Sequence, residues 1–474
     1  MTRLVTPTAA GPDTRAVVEP ATGEVLGGVA LSDPDDVRAA VAEAAAAHPA
    51  WAATSPVERA AVLRRAARVL EEHTDEVVEW IVRESGSIRA KAAGEVASVL
   101  DELWVAASLP TQPHGELFAD PSGRRSFGRR VPLGVVGVIS PWNVPLLLGV
   151  RAVAPALALG NAVVLKPDPN THVSGGHVLA ALFERAGLPD GVLRVVSGDA
   201  EAGRALTGHP DVRMIAFTGS TAVGRRIGAE AGGALKRVSL ELGGNNALVV
   251  LDDADLDLAS SAGAMSSFFH QGQVCMAAGR HVVLREVADE YVDRLVRRAE
   301  KLVVGDPWRA DVALGPLITP AQLERVDGIV RDTVAAGAVV RTGGTHDGPF
   351  YRPTVLTGVT ADMPAFTEEV FGPVAPVIVV EDEDEAVEVA NRTEYGLVAA
   401  VWTGSVDRGL ALADRLATGM VHVNGETISD NAFVPFGGRG ASGNGSRHGA
   451  GQSWDEFTQW QWLTVRAEPI PSLF

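Results

Sequence analysis

Cys275 is the only cysteine in 474 residues. It cannot close an intrachain disulfide, and one thiol cannot by itself build a cysteine metal site. A lone thiol is either a small buried apolar side chain or a nucleophile. Its setting is Gln271-Gly272-Gln273-Val274-Cys275-Met276. Gly272 lets the backbone come close to another group. Phe268 and Phe269 just before it predict a buried helix that ends in a loop. An ordinary thiol has a pKa of about 8.5, so attack on a carbonyl needs a base, and it needs donors for the charge that develops. Glu241, in Glu241-Leu242-Gly243-Gly244-Asn245, is a candidate base. Asn143, in Pro141-Trp142-Asn143-Val144-Pro145, is a candidate amide donor. Each also has a plain structural reading: Glu241 as a strand-end acid before a Gly-Gly turn, Asn143 as an Asx-turn residue. The competing chemistry pairs Cys275 with His270 or His281 as a cofactor-independent thiol hydrolase or esterase.

The rest of the chain must hold these residues. A 46% hydrophobic, 21% charged composition supports a large folded core. Length suits two or three domains. Forty-one basic against 59 acidic residues give a net charge of −18, which repels nucleic acid and anionic membranes. The apolar run from Val150 to Leu165 is broken by Arg151, Pro155, Gly160 and Asn161, so no membrane span is expected. Met1–Pro20 lacks a signal-peptide pattern, and a cytoplasmic enzyme is expected.

Residues 1–35 read as an irregular arm. Ser32-Asp33-Pro34 caps a helix to His48, and the capping box Ser55-Pro56-Val57-Glu58 opens a second. Further helices run from Thr74 to Ser85 and from Ile88 to about Ala107, with no chemistry assigned to them. Pro113, Gly115, Pro121 and Gly123 punctuate a hairpin over 111–131. From Pro132 strands and helices alternate. The predicted strands are Gly134–Ile139, Ala162–Leu165, Val192–Val196 and Met214–Phe217, with a helix over Val173–Ala186. That alternation predicts βαβ units and a parallel sheet, with ligands at the carboxyl ends of its strands. Phe217 runs into Thr218-Gly219-Ser220-Thr221-Ala222-Val223-Gly224, a glycine-bearing strand-to-helix turn where backbone N–H groups can face a pyrophosphate. A second strand–helix series follows Glu241.

These motifs, from Pro20-Ala21-Thr22-Gly23 to Pro435-Phe436-Gly437-Gly438, occur in order over nearly the whole chain. In this the sequence resembles the aldehyde dehydrogenase superfamily. Pro145–Pro155, Lys166–Asn170 and Trp460–Arg466 look most like its benzaldehyde, vanillin and salicylaldehyde dehydrogenase branch. The resemblance implies an α/β fold of two Rossmann-type parallel-sheet domains plus a small β oligomerisation element. Residues 1–110 and 132–243 would bind NAD(P)+, 244–443 would be catalytic, and 111–131 with 444–474 would join subunits into a dimer or tetramer. It implies Cys275 as nucleophile, Glu241 as base and Asn143 in the oxyanion site, with no metal. Ser140, Trp142, Lys166, Asp168, Gly219, Ser220, Gly224, Leu242, Gly243, Glu369 and Phe371 would hold the cofactor. Val144, Leu148, Arg151, Phe269, Val274, Ile428 and Phe433 would line the aldehyde tunnel, and their apolar character favours an aromatic aldehyde over a sugar. Arg151 would orient the substrate, steady Glu241 or make a structural ion pair. Many family members carry a glutamate where this chain has Pro169, which leaves NADP+ open beside NAD+. An aliphatic or semialdehyde dehydrogenase of the same superfamily is the nearest alternative.

Overall fold

The computed structural model describes residues 3–6, 8–11, 14–449 and 451–468. The parts of the expected N-terminal arm at 1, 2, 7, 12 and 13, and of the C-terminal element at 450 and 469–474, lie outside the described residues. Two parallel-type sheets dominate. The first has five parallel strands in the order Leu193–Val195, Ala162–Lys166, Val135–Ile139, Val212–Thr218, Arg237–Glu241. The second has seven, ordered Val339–Thr342, Thr354–Thr357, Val374–Val380, Ala278–Leu284, Asn246–Val250, Val398–Trp402, Met420–Val423. Only the Val339–Thr342 edge strand runs antiparallel to its neighbour. Central strands such as Ala162–Lys166, Asn246–Val250 and Val398–Trp402 are buried along their whole length. That is why they read as unbroken apolar runs and not as alternating ones. An apolar core fills each face of both sheets.

The four N-terminal helices are Pro34–Ala53, Pro56–Glu72, Thr74–Ser85 and Arg89–Ser108. Asp33 caps the first with a reciprocal capping box through Asp36. This helix continues past His48 and Pro49, because Trp51 beyond them is buried and its indole N–H donates to the Leu157 carbonyl at 2.9 Å. Ser55 caps the second helix by accepting from the Glu58 N–H. The arm is not wholly irregular: Thr14–Val18 pairs antiparallel with Val25–Ala30, burying Val17 and Val29. A register shift at Val17/Val18 breaks the alternation that would have disclosed these strands.

The helix expected over Val173–Ala186 is split. Val173–His177 forms one wide π-type turn before the α-helix Val178–Arg185. A Cβ at Gly176 would lie 2.7 Å from the Pro167 ring, so this turn packs closer than a side chain permits. The Val192–Val196 strand shortens to Leu193–Val195. The 111–131 hairpin forms as Gly115–Phe118 against Arg125–Pro132, and Thr458–Val465 adds a third antiparallel strand. The aromatic tail divides in two: Trp454 and Phe457 are buried in the main core, while Trp460 and Trp462 stay exposed.

Candidate active site

In the five-stranded sheet, strand Val135–Ile139 lies between Ala162–Lys166, next in sequence, and Val212–Thr218, reached after a crossover. A crevice opens at such a switch point, outside the carboxyl ends of the strands. A cavity of about 470 Å³ occupies it. Trp142 and Asn143 follow the Val135–Ile139 strand into its wall, Gly219 and Ser220 follow Val212–Thr218, and Glu241, Leu242 and Gly243 follow Arg237–Glu241. Cys275, Glu369 and Phe371 close the cavity from the side of the seven-stranded sheet. The three residues proposed from sequence for the chemistry therefore share one cavity.

The helix Leu256–Phe268 ends just before Cys275. His270 and Gln271 both take left-handed backbone torsions, with φ of 50° and 57°, which turn the chain sharply towards the cavity. Gly272 continues the turn at φ 68°, and a Cβ there would fall 2.1 Å from the Gly372 carbonyl oxygen. Asn246 Nδ2 holds the carbonyl of Cys275 at 2.8 Å. The thiol forms part of the cavity wall, against Phe269, Val274, Met276, Leu397 and Ile428. Burial pushes its pKa up to about 12; the Glu369 and Glu241 carboxylates push the same way, and Arg151 opposes them. With nothing else bound, Cys275 is a neutral thiol.

Asn143 is buried, and its Nδ2 donates to the carbonyl of Gln273, two residues before the thiol, at 2.9 Å. Glu241 is 4% exposed, and neither carboxylate oxygen has a hydrogen-bond partner among the described residues. Desolvation raises its pKa well above the ordinary carboxylate value; Arg151 and Arg447 pull it down, while Glu456 and Asp430 add to the rise. A desolvated, unpartnered carboxylate facing a cavity fits a proton acceptor better than a structural ion.

Arg151, buried on the helix Pro145–Ala158, is held by Glu102 at 3.1 Å and by Asp430, with its guanidinium 4.6 Å from the Phe436 ring centre. It makes an ion pair, and its charge also lowers the pKa of both Glu241 and Cys275. Replacing it by Gln removes that charge and raises both values, so the rising limb of the kcat/KM–pH profile should move to higher pH. Arg151→Lys, which keeps the charge, should leave the limb in place. The Gln variant also strands Glu102 and Asp430, at a cost of about 3–5 kcal/mol readable by thermal denaturation.

The remaining residues divide. Trp142 and Phe371 pack edge to face at 5.4 Å on the cavity wall. Glu369 accepts from the Gly244 N–H at 2.9 Å, and burial raises its pKa to about 7. A Cβ at Gly243 would sit 2.2 Å from the Glu369 carboxylate, and one at Gly224 2.4 Å from Leu242. Both glycines permit close approach along this wall. Ser140, just after the strand Val135–Ile139, is buried, and its hydroxyl has no hydrogen-bond partner among the described residues. Leu148 lines the cavity; Phe269, Val274 and Ile428 pack around the thiol; Val144 is half-buried at the start of its helix. Phe433 is 65% exposed and lies outside the cavity wall. Lys166 and Asp168 also lie outside it, at the end of the neighbouring strand. There Asp168 Oδ1 accepts from both the backbone and side-chain nitrogens of Asn170.

The site also depends on residues to which sequence reasoning assigned no chemistry. Lys91, Glu95 and Glu102 all lie buried on the helix Arg89–Ser108. Their signal is visible in the sequence: charges at these three positions interrupt the apolar stripe Ala92, Val96, Val99, Leu103.

The residues present fit a dinucleotide. Ser220 begins the helix Thr221–Gly233 without capping it through its side chain, so first-turn amides are left for a phosphate at a positive helix end. A dinucleotide site and a thiol in the wall of one cavity describe a nucleotide-dependent oxidoreductase working through cysteine. The chain belongs to the aldehyde dehydrogenase family, which it matches over residues 7–463. It is 53% identical to a vanillin dehydrogenase from an Amycolatopsis species, over 97% of this chain and 95% of that protein. It is 50% identical to a benzaldehyde dehydrogenase [NAD(+)] from Pseudomonas putida, over 96% and 93%. A betaine aldehyde dehydrogenase from Staphylococcus aureus, solved in complex with NAD+, superposes with a TM-score of 0.95 at 29% identity, covering 98% of this chain and 94% of that one.

Proposed function

We propose that this enzyme oxidises an aromatic aldehyde to its carboxylic acid, with NAD(P)+ as oxidant and NAD+ the favoured form. The observation that carries the reading is the shared cavity of Cys275, Asn143 and the unpartnered carboxylate of Glu241. Similarity to vanillin and benzaldehyde dehydrogenases at 53% and 50% identity supports the aromatic substrate. So does the apolar surround of the thiol, Phe269, Val274, Leu397 and Ile428.

Cys275 Sγ adds to the aldehyde carbon as Glu241, directly or through water, takes the thiol proton. The carbonyl oxygen becomes an oxyanion held by Asn143 Nδ2–H and the Cys275 backbone N–H. The bound nicotinamide supplies the hydride acceptor. Loss of hydride leaves a thioester on Cys275. Glu241 gives the thiol proton up to solvent and then removes a proton from water as it attacks the acyl carbon. The carbon–sulfur bond breaks, the acid leaves, and Glu241 returns that second proton to the Cys275 thiolate. Trp142, Gly219, Ser220, Gly243, Glu369 and Phe371 hold the dinucleotide along the cavity wall, with Ser140, Gly224 and Leu242 shaping that wall. Lys166 and Asp168 lie towards the adenosine end. Residues 1–110 with 132–243 bind it, 244–443 carry the thiol, and 111–131 with 444–474 form the subunit contact of a dimer or tetramer in the cytoplasm. Exposed Leu117, Trp460 and Trp462 support that contact. Among the described residues no helix is long and apolar enough to cross a membrane, and no group of acidic, His and Cys side chains could hold a metal.

The thiol hydrolase reading lacks a histidine. Both ring nitrogens of His281 are engaged at 2.7 Å by Ser267 and Tyr291, and neither His281 nor His270 is among the residues that line the cavity with Cys275. A spectrophotometric screen of benzaldehyde, vanillin, a short aliphatic aldehyde and a semialdehyde with each cofactor tests the proposal. The expected result is kcat/KM at least about 10-fold higher for the aromatic pair, as one well-fitted apolar contact can supply. Preference for the aliphatic aldehyde or the semialdehyde would contradict the substrate class. Ester cleavage without aldehyde oxidation would contradict the reaction.

A further inference from the structure

Lys91 and Glu95 lie behind the cavity wall, and no step above uses them. They sit four residues apart on the helix Arg89–Ser108, each 4% exposed. Lys91 Nζ donates to Glu95 Oε2 at 2.6 Å and to the backbone carbonyl of Asn143 at 2.8 Å. Glu95 Oε1 accepts the N–H groups of Leu146 and Leu147 at 2.8 and 3.2 Å. Those are first-turn donors of the helix Pro145–Ala158, whose preceding residue, Val144, has no side chain able to cap it. One buried ion pair thus grips the backbone on both sides of Val144.

Burying two charges is costly, and a well-packed apolar pair would serve the fold as well or better. What the pair holds explains it. With Asn143 gripped through its carbonyl and the next turn gripped through its amides, the side-chain amide is fixed. One Nδ2 hydrogen goes to Gln273 O, and the other is left for a substrate oxygen. A displacement of about 1 Å at such a donor costs on the order of 10²-fold in rate.

The geometry points to Lys91 and Glu95 as positioning residues that set the Asn143 amide for the oxyanion. This rests on Asn143 being the oxyanion donor. Lys91→Met should lower kcat about 10- to 100-fold, as loss of a supporting partner does, while aldehyde KM and the NAD+ dissociation constant change less than about threefold. Asn143→Ala should lower kcat about 10²–10³-fold. The double variant should be no slower than Asn143→Ala alone, because the clamp has no amide left to aim. Multiplied losses in the double variant, or a loss confined to KM, overturn the clamp and leave the Asn143 reading standing. Full activity in Asn143→Ala overturns both. If Lys91→Met does not fold, Glu95→Gln goes through the same cycle with the same expected outcome. Failure of both to fold assigns the pair to stability and overturns the proposal.

Discussion

Cys275→Ala should lose aldehyde oxidation by a factor on the order of 10⁴–10⁶, down to background, because the sequence holds no second thiol to replace the sulfur. NAD+ affinity, followed by quenching of intrinsic fluorescence, should stay within about threefold, since the thiol is not one of the groups that hold the dinucleotide. The free protein should also tolerate the change. The thiol is neutral in the resting site, so its removal strands no buried charge. Residual turnover above a percent of wild type would remove the covalent route.

Glu241→Gln should slow turnover about 10²–10⁴-fold, the worth of a positioned base, and should change which step limits the rate. If Glu241 chiefly activates water, reduced cofactor should appear in a burst of one equivalent per active site and then almost stop. In wild type, activity should rise with pH until Glu241 ionises, and its raised pKa places that limb above the ordinary carboxylate range. The variant should lose that limb. The same shift bears on stability. A carboxyl whose folded pKa exceeds its unfolded one contributes most below the unfolded value, and that contribution is lost as pH rises through the folded value. Glu241→Gln should therefore unfold at the same temperature as wild type or higher near pH 8, which separates a lost base from a damaged fold. A variant with unchanged kcat and no burst would place the base elsewhere.

Much of this site is legible from residue types alone, because the reacting groups sit where strands end. The carboxyl ends of Val135–Ile139, Val212–Thr218 and Arg237–Glu241 deliver Asn143, Gly219 and Glu241 in sequence motifs a few residues long. Local patterns show such motifs well. Support that comes from distant elements is harder to read. Lys91 and Glu95 reach the residues around Asn143 across about fifty positions of sequence, and Asp430 reaches Arg151 across 279. Helical periodicity marks Lys91 and Glu95 as out of place on an apolar face without naming their partners, and Asp430 lies outside any helix, where no such period exists. The hairpin at Thr14–Ala30 escaped notice for another reason: its register shift spoils the period of two. The wide turn at Val173–His177 depends on Glu84 accepting the N–H groups of Val173 and Ser174, again a contact between remote segments.

Intact-protein mass spectrometry of Glu241→Gln, quenched in acid seconds after mixing with benzaldehyde and NAD+, bears most directly on the sulfur as nucleophile. One benzoyl group per chain should be found, mapped by peptide digestion to Cys275 and released by hydroxylamine. An unmodified chain alongside a full equivalent of reduced cofactor, or an acyl group on any other residue, would contradict a thioester at Cys275.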